Sequence, residues 1–132
     1  MSARTVRPAS LHSTNGYSHA IVKNGTPVFI SGQVALNVSG ELVGKGDIAA
    51  QVDQMFNNLK GVVIAAGGSM EDIVKTTVFV TDIAYRPAVA AARKKHFRPG
   101  RYPASTFLVV SSLATPDFLV EIEAVAMIED AS

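Results

Sequence analysis

The stretch from Leu119 to Ile128 limits the fold more than any other, because it alternates like a strand yet offers no purely polar face. Side chains of a strand point alternately to opposite sides. Val120, Ile122, Ala124, Ala126 and Ile128 share one side, and Glu121, Glu123, Val125 and Met127 share the other. The first face needs a helical layer. The second, which mixes carboxylates with Val and Met, suits a subunit contact edged by a polar cleft.

The rest of the chain supplies a limited amount of cover. Residues 1–15 read as an irregular, polar N-terminal arm, after which Ala20-Ile21-Val22 runs into the turn signal Asn24-Gly25. This pattern predicts a hairpin whose second arm is Val28 to Gln33. Residues 37–46, with three glycines, read as loop. From Asp47, a plausible N-cap, the apolar residues Ile48, Val52, Met55, Phe56, Leu59, Val62, Val63 and Ala66 recur at helical spacing up to Gly67-Gly68. Ile73 to Val80 is rich in β-branched residues and predicts a strand. A second helix with Pro87 near its start runs to about Phe97 and is stopped by Pro99-Gly100. Thr106 to Val110 predicts another strand. The order is ββαβαββ in one α+β domain over residues 1–132, a length near the usual size of one domain. About five strands stand against two helices, and two helices blanket one face of such a sheet. A homo-oligomer is therefore expected.

Composition narrows the partners. Twelve basic and 11 acidic side chains leave a formal charge of +1, so no strong field draws in nucleic acid. The absence of cysteine removes disulfides, thiolate nucleophiles and thiolate ligands, and fits a reducing compartment. No run approaches the roughly 20 apolar residues of a membrane span, and no apolar run follows Arg4 and Arg7 as a secretory signal would require. A cytoplasmic location with no membrane partner is the expectation. His12, His19 and His96 lack ligand-type spacing, so no metal site is expected. Gly44-Lys45-Gly46 fits neither a Walker loop nor a dinucleotide motif, and no nucleophile elbow supports a serine triad.

A few polar groups within strands remain. Gly32, between Ser31 and Gln33, either marks a bulge or lets a ligand or backbone approach closely. Glu121, flanked by Val120 and Ile122, is either a solvated strand carboxylate or a partly buried one with a raised pKa suited to proton transfer. Glu123 is the solvated member of the pair on that reading. Tyr17 and Phe107 are either cleft walls or ordinary core aromatics.

Taken together, Gly16-Tyr17-Ser18-His19-Ala20, Phe29-Ile30-Ser31-Gly32-Gln33, Asp72 to Asp82, Pro103-Ala104-Ser105-Thr106 and Val120 to Ala126 resemble the Rid/YjgF family of reactive-intermediate deaminases. The resemblance covers roughly residues 16–128. It implies a chorismate-mutase-like fold, with two helices on one face of a mixed sheet, and a homotrimer with clefts between neighbouring subunits. It also implies hydrolysis of 2-imino or enamine acids to 2-oxo acids and ammonia, with no cofactor. Tyr17 would line the cleft, Ser31 and Gly32 would offer polar and backbone contacts, and Glu121 would position the attacking water.

Three positions depart from the family pattern: Ser105 stands where the deaminase branch has a carboxylate-binding Arg, Ala90 where it has an Asn, and Phe107 where it has a Cys. A bidentate Arg contact is charge-assisted, whereas a Ser hydroxyl makes one neutral bond. Losing the Arg costs about 2–5 kcal/mol where the carboxylate is desolvated. The expectation is thus a small-molecule hydrolase of non-standard substrate, for example an aminomuconate-type deaminase, with Ser105 and Phe107 reshaping the substrate pocket. Arg86, Arg98 and Arg101 are the residues considered as replacements, each more simply read as a solvated surface side chain. A non-catalytic ligand-binding or chaperone-like trimer is the alternative. RNA cleavage ranks last, since the chain has no basic stripe or paired His arrangement.

Overall fold

The computed structural model describes residues 3–129. Eight regular elements succeed one another: β1 (Arg4–Val6), β2 (Ala20–Val22), β3 (Thr26–Gln33), α1 (Ile48–Ala65), β4 (Ile73–Val80), α2 (Arg86–His96), β5 (Ala104–Val109) and β6 (Val120–Ile128). Four strands form a mixed sheet in the order β3-β6-β4-β5, in which only β4 and β5 run parallel. Two helices and this mixed sheet make the α+β class expected from the sequence, and the residues of β4 are those read as a strand.

The expected hairpin does not form. β2 pairs with β1 in a separate two-stranded ribbon, and β3 pairs instead with β6. Residues 4–6, read as irregular, are thus a strand. The cause lies at Gly25, whose φ is 143° and whose missing side chain lets the backbone pack on Ile128, where a β-carbon would stand 2.8 Å from the Ile128 nitrogen. The Asn-Gly turn therefore delivers β3 to the end of β6 rather than back along β2.

α1 begins as its sequence predicts, with the Asp47 carboxylate accepting from the Ala50 N–H at 3.1 Å. It ends in a Schellman arrangement, Gly67 donating to Ile64 and Gly68 to Val63. Its buried face, Val52, Met55, Phe56, Leu59 and Val63, packs over β3 and β6 against Ile30, Val78, Ile122 and Ala126. All five apolar residues of β6 assigned to one face are buried. The opposite face has no layer over it among the described residues: Phe29 is 79% exposed and Leu108 43%. Gln51, fully buried, joins the layers by donating to the Gly44 and Asp117 carbonyls and accepting from the Leu119 N–H, which anchors the entry to β6.

α2 is different in character. Val89 is its one buried residue, and α1 is the main element it packs against. A helix so lightly seated leaves room between itself and β5, the parallel edge of the sheet. No helix among the described residues is long and apolar enough to cross a membrane.

Candidate functional site

The gap between α2 and β5 is a cleft of about 550 Å³. Tyr17, Ser105 and Phe107 line it, together with Arg86, Ala90 and Arg93 of α2. Ser105 and Phe107 pair in register with Thr76 and Val78, both buried beneath the helices, so their side chains lie on the helix-bearing side. Tyr17 is brought there by its neighbour Ser18, whose N–H donates to the Pro103 carbonyl and whose hydroxyl donates to the Tyr102 carbonyl. The sequence between Gly16 and Ala20 is thus sewn to the start of β5. The Ser105 hydroxyl accepts a 3.0 Å hydrogen bond from Thr76, which fixes it in the strand and leaves its own proton for a ligand.

The second group of predicted residues lies elsewhere. The pairing between β3 and β6 slips between Ile30 and Gln33, so Ser31 and Gly32 form a bulge. A β-carbon on Gly32 would overlap the Glu121 carboxylate, so this glycine marks a bulge, and what approaches it closely is a side chain rather than a backbone or ligand. Glu121 pairs with Phe79, placing it on the open face with Leu108 and Phe29. It is partly buried, while Glu123 is exposed. Burial pushes the Glu121 carboxyl above the ordinary carboxylate range, and the nearby Glu123 charge adds to the rise. A carboxylate so placed is a better proton acceptor than a free one.

The structure therefore brings Tyr17, Ser105 and Phe107 together on one side of the sheet, and Ser31, Gly32 and Glu121 together on the other. Within one chain the two groups do not meet, and Glu121 is not part of the lining of the α2–β5 cleft.

Of the arginines weighed as replacements for the missing one, Arg86 reaches the cleft. Arg98 is held by Glu71 at 2.6 Å, and neither it nor Arg101 lines the space. Arg93 was missed. The signal was present, since Arg86, Val89, Ala90 and Arg93 recur at the three- and four-residue spacing that puts them on one helix face. Of the histidines without ligand-type spacing, His12 and His19 meet edge to face at 4.8 Å, and His12 Nε2 lies 3.2 Å from the Tyr17 hydroxyl. His12 thus holds the phenol from behind. His96 does not line this cleft and stacks on Phe56.

This sheet and cleft define a protein class. The family model described as Endoribonuclease L-PSP matches residues 7–128. The chain is 35% identical over 113 residues to the 2-iminobutanoate/2-iminopropanoate deaminase of Dermatophagoides farinae, covering 86% of each chain. It is 39% identical over 111 residues to the RutC family protein PH0854 of Pyrococcus horikoshii, covering 83% of this chain and 85% of that one. Among solved structures, the Rid-family protein YyfB of Yersinia pestis, of unknown function, superposes with a TM-score of 0.91 at 35% identity, over 97% of this chain and all of that one. RidA from an Antarctic Psychrobacter superposes with a TM-score of 0.72 at 33% identity, over 95% and 99% of the two chains. The chain belongs to the Rid/YjgF family.

Proposed function

We propose that this protein is a hydrolytic deaminase of small imine or enamine acids, working without a cofactor in clefts shared between the subunits of a homotrimer. The observation that carries the reading is the division of the site residues between the two faces of one sheet. Glu121 with its Gly32 contact and Tyr17 with Ser105 become one site only if the open face of one subunit is laid beside the α2–β5 cleft of the next. That face is also the one exposing Phe29 and Leu108. Head-to-tail contacts of this kind close into rings. The similarity to a protein named 2-iminobutanoate/2-iminopropanoate deaminase supports the chemistry.

In this reading Glu121 takes a proton from water as the water oxygen adds to the imine carbon and passes that proton to the nitrogen, giving a neutral tetrahedral carbinolamine. Glu121 then takes the carbinolamine hydroxyl proton and delivers it to the nitrogen as the C–N bond breaks, releasing ammonia and a 2-oxo acid and leaving Glu121 ionised. An enamine first takes a proton at carbon to become the imine. The Tyr17 hydroxyl, held by His12, is a hydrogen-bonding group for the reacting nitrogen.

The test is the release of ammonia and 2-oxo acid from 2-iminopropanoate and from 2-aminomuconate with the purified protein. Acceleration of either over buffer, lost in Glu121→Gln, is the expected result. Rates equal to buffer for both substrates would remove the enzymatic reading. The alternative, a non-catalytic binding trimer, draws on the apolar Ala90 facing the same cleft. Ligand-induced stabilisation with no turnover would favour it.

A further inference from the structure

Two arginines enter the α2–β5 cleft, and no acidic residue among the described ones lines it. Seven positions apart on α2, Arg86 and Arg93 lie on the same helix face, separated by about 10 Å of axial rise. Among the described residues, neither has a carboxylate within salt-bridge distance, in contrast to Arg98, which pairs with Glu71. The Arg93 side chain runs from α2 across the Gly16 corner, its Cδ 3.8 Å from where a β-carbon of Gly16 would sit. Its Nη2 is buried with no hydrogen-bond partner among the described residues. Buried charged nitrogens are ordinarily hydrogen-bonded, and an unmet one costs stability unless a ligand completes it.

We infer that Arg86 and Arg93 form the anion-binding wall of this cleft, taking over the role for which residue 105 is a serine, and that the cleft accepts a ligand carrying two carboxylates. The inference rests on the proposed use of the cleft as the substrate site and deepens it by naming the substrate class. Arg93, between Gly16 and Ser105, grips one carboxylate with its planar fork, while the Ser105 hydroxyl donates to an oxygen of the same group. Arg86, two turns toward the start of α2, meets the second. Arg93 is half-buried with an unmet nitrogen, whereas Arg86 is exposed at the mouth of the cleft and free to turn toward a second carboxylate. Burial and the Arg86 charge both weaken the hold of Arg93 on its proton, partly offset by Tyr102, as follows when two like charges share a site awaiting an anion.

Isothermal calorimetry with adipate and butyrate on the purified full chain tests this without recourse to turnover. Adipate should bind at least about ten-fold tighter than butyrate, with an advantage that shrinks as salt rises. Arg86→Gln should bring adipate down to the butyrate level, and Arg93→Gln should abolish binding of both. In the absence of ligand, Arg93→Gln should melt no lower than the parent, because it removes an unmet buried charge, whereas an arginine serving only structure would melt lower when replaced. Arg93→Lys, which keeps the charge without the fork, should recover part of the affinity. Equal affinities for adipate and butyrate, or unaltered adipate binding by Arg93→Gln, would overturn the inference. Turnover of a 2-imino acid with no preference for a second carboxylate would remove the arginine pairing and leave the deaminase reading standing. Tight adipate binding without turnover would do the reverse.

Discussion

Gly32 lies against the Glu121 carboxylate so closely that a β-carbon at residue 32 would stand 2.7 Å from Glu121 Cδ. The bulge between Ile30 and Gln33 creates this contact, and the glycine is used for its missing side chain rather than for a left-handed backbone, since its φ is not positive. Gly32→Ala should therefore fold and yet swing the carboxylate aside. A stability loss of about 1 kcal/mol is expected, at the low end for added bulk because the carboxylate can rotate away. Activity should fall on the order of 100-fold from the misplaced base. Denaturant unfolding and steady-state rates on the same preparation separate the two effects.

The Glu121 carboxyl gives a pH signature. Burial first, and the Glu123 charge second, raise its folded-state pKa above the ordinary value. Acting as a base, it must be ionised, so activity should climb as pH rises through that raised pKa. Glu123→Gln removes the second cause and should move the climbing limb to lower pH, while Glu121→Gln should abolish it. The linkage to stability has the opposite sense. Between the unfolded and the raised folded pKa the native state holds a proton that the unfolded chain has released, so this residue makes stability decline as pH rises across that window. A pH series of melting temperatures for the parent and Glu121→Gln checks the sign.

Gln51 ties the first turn of α1 to the loop that launches β6, through bonds of 3.1 and 2.9 Å to the Gly44 and Asp117 carbonyls and 2.9 Å from the Leu119 N–H. Gln51→Leu keeps the bulk but strands three backbone groups, each at about 1–3 kcal/mol when buried and unmet. A loss of at least about 2 kcal/mol in urea unfolding is expected. Because Leu119 lies two residues before Glu121, the variant should also lose activity while still folded.

Much of this was legible in the sequence, and the gaps have physical causes. The period of α1 with its Asp47 cap, the β-branched run of β4 and the two faces of β6 are local patterns, and the structure reproduces them. The Asn24-Gly25 hairpin failed because a turn signal is local whereas strand pairing is not. The fit of Gly25 onto Ile128 is a contact between residues about a hundred positions apart. Glu121 and Ser105 were singled out one by one, but their placement on opposite faces follows from the registers Glu121 with Phe79 and Ser105 with Thr76, which no short motif specifies. Arg93 escaped notice because an arginine among Lys94, Lys95 and Arg98 reads as solvated helix surface. Its place one turn after the buried Val89, on the face toward the cleft, is what distinguishes it.

The central claim is that each site is assembled from two subunits, with Glu121 and Gly32 from one and Tyr17 and Ser105 from its neighbour. Mixing subunits tests it directly. Glu121→Gln and Tyr17→Ala, each inactive as a pure assembly, are unfolded, combined in equal amounts and refolded together. Random assembly gives each half-site an even chance of being intact, so about a quarter of the parent's activity should return. Activity that stays at the level of the separate variants, in assemblies shown to contain both subunits, would contradict the claim.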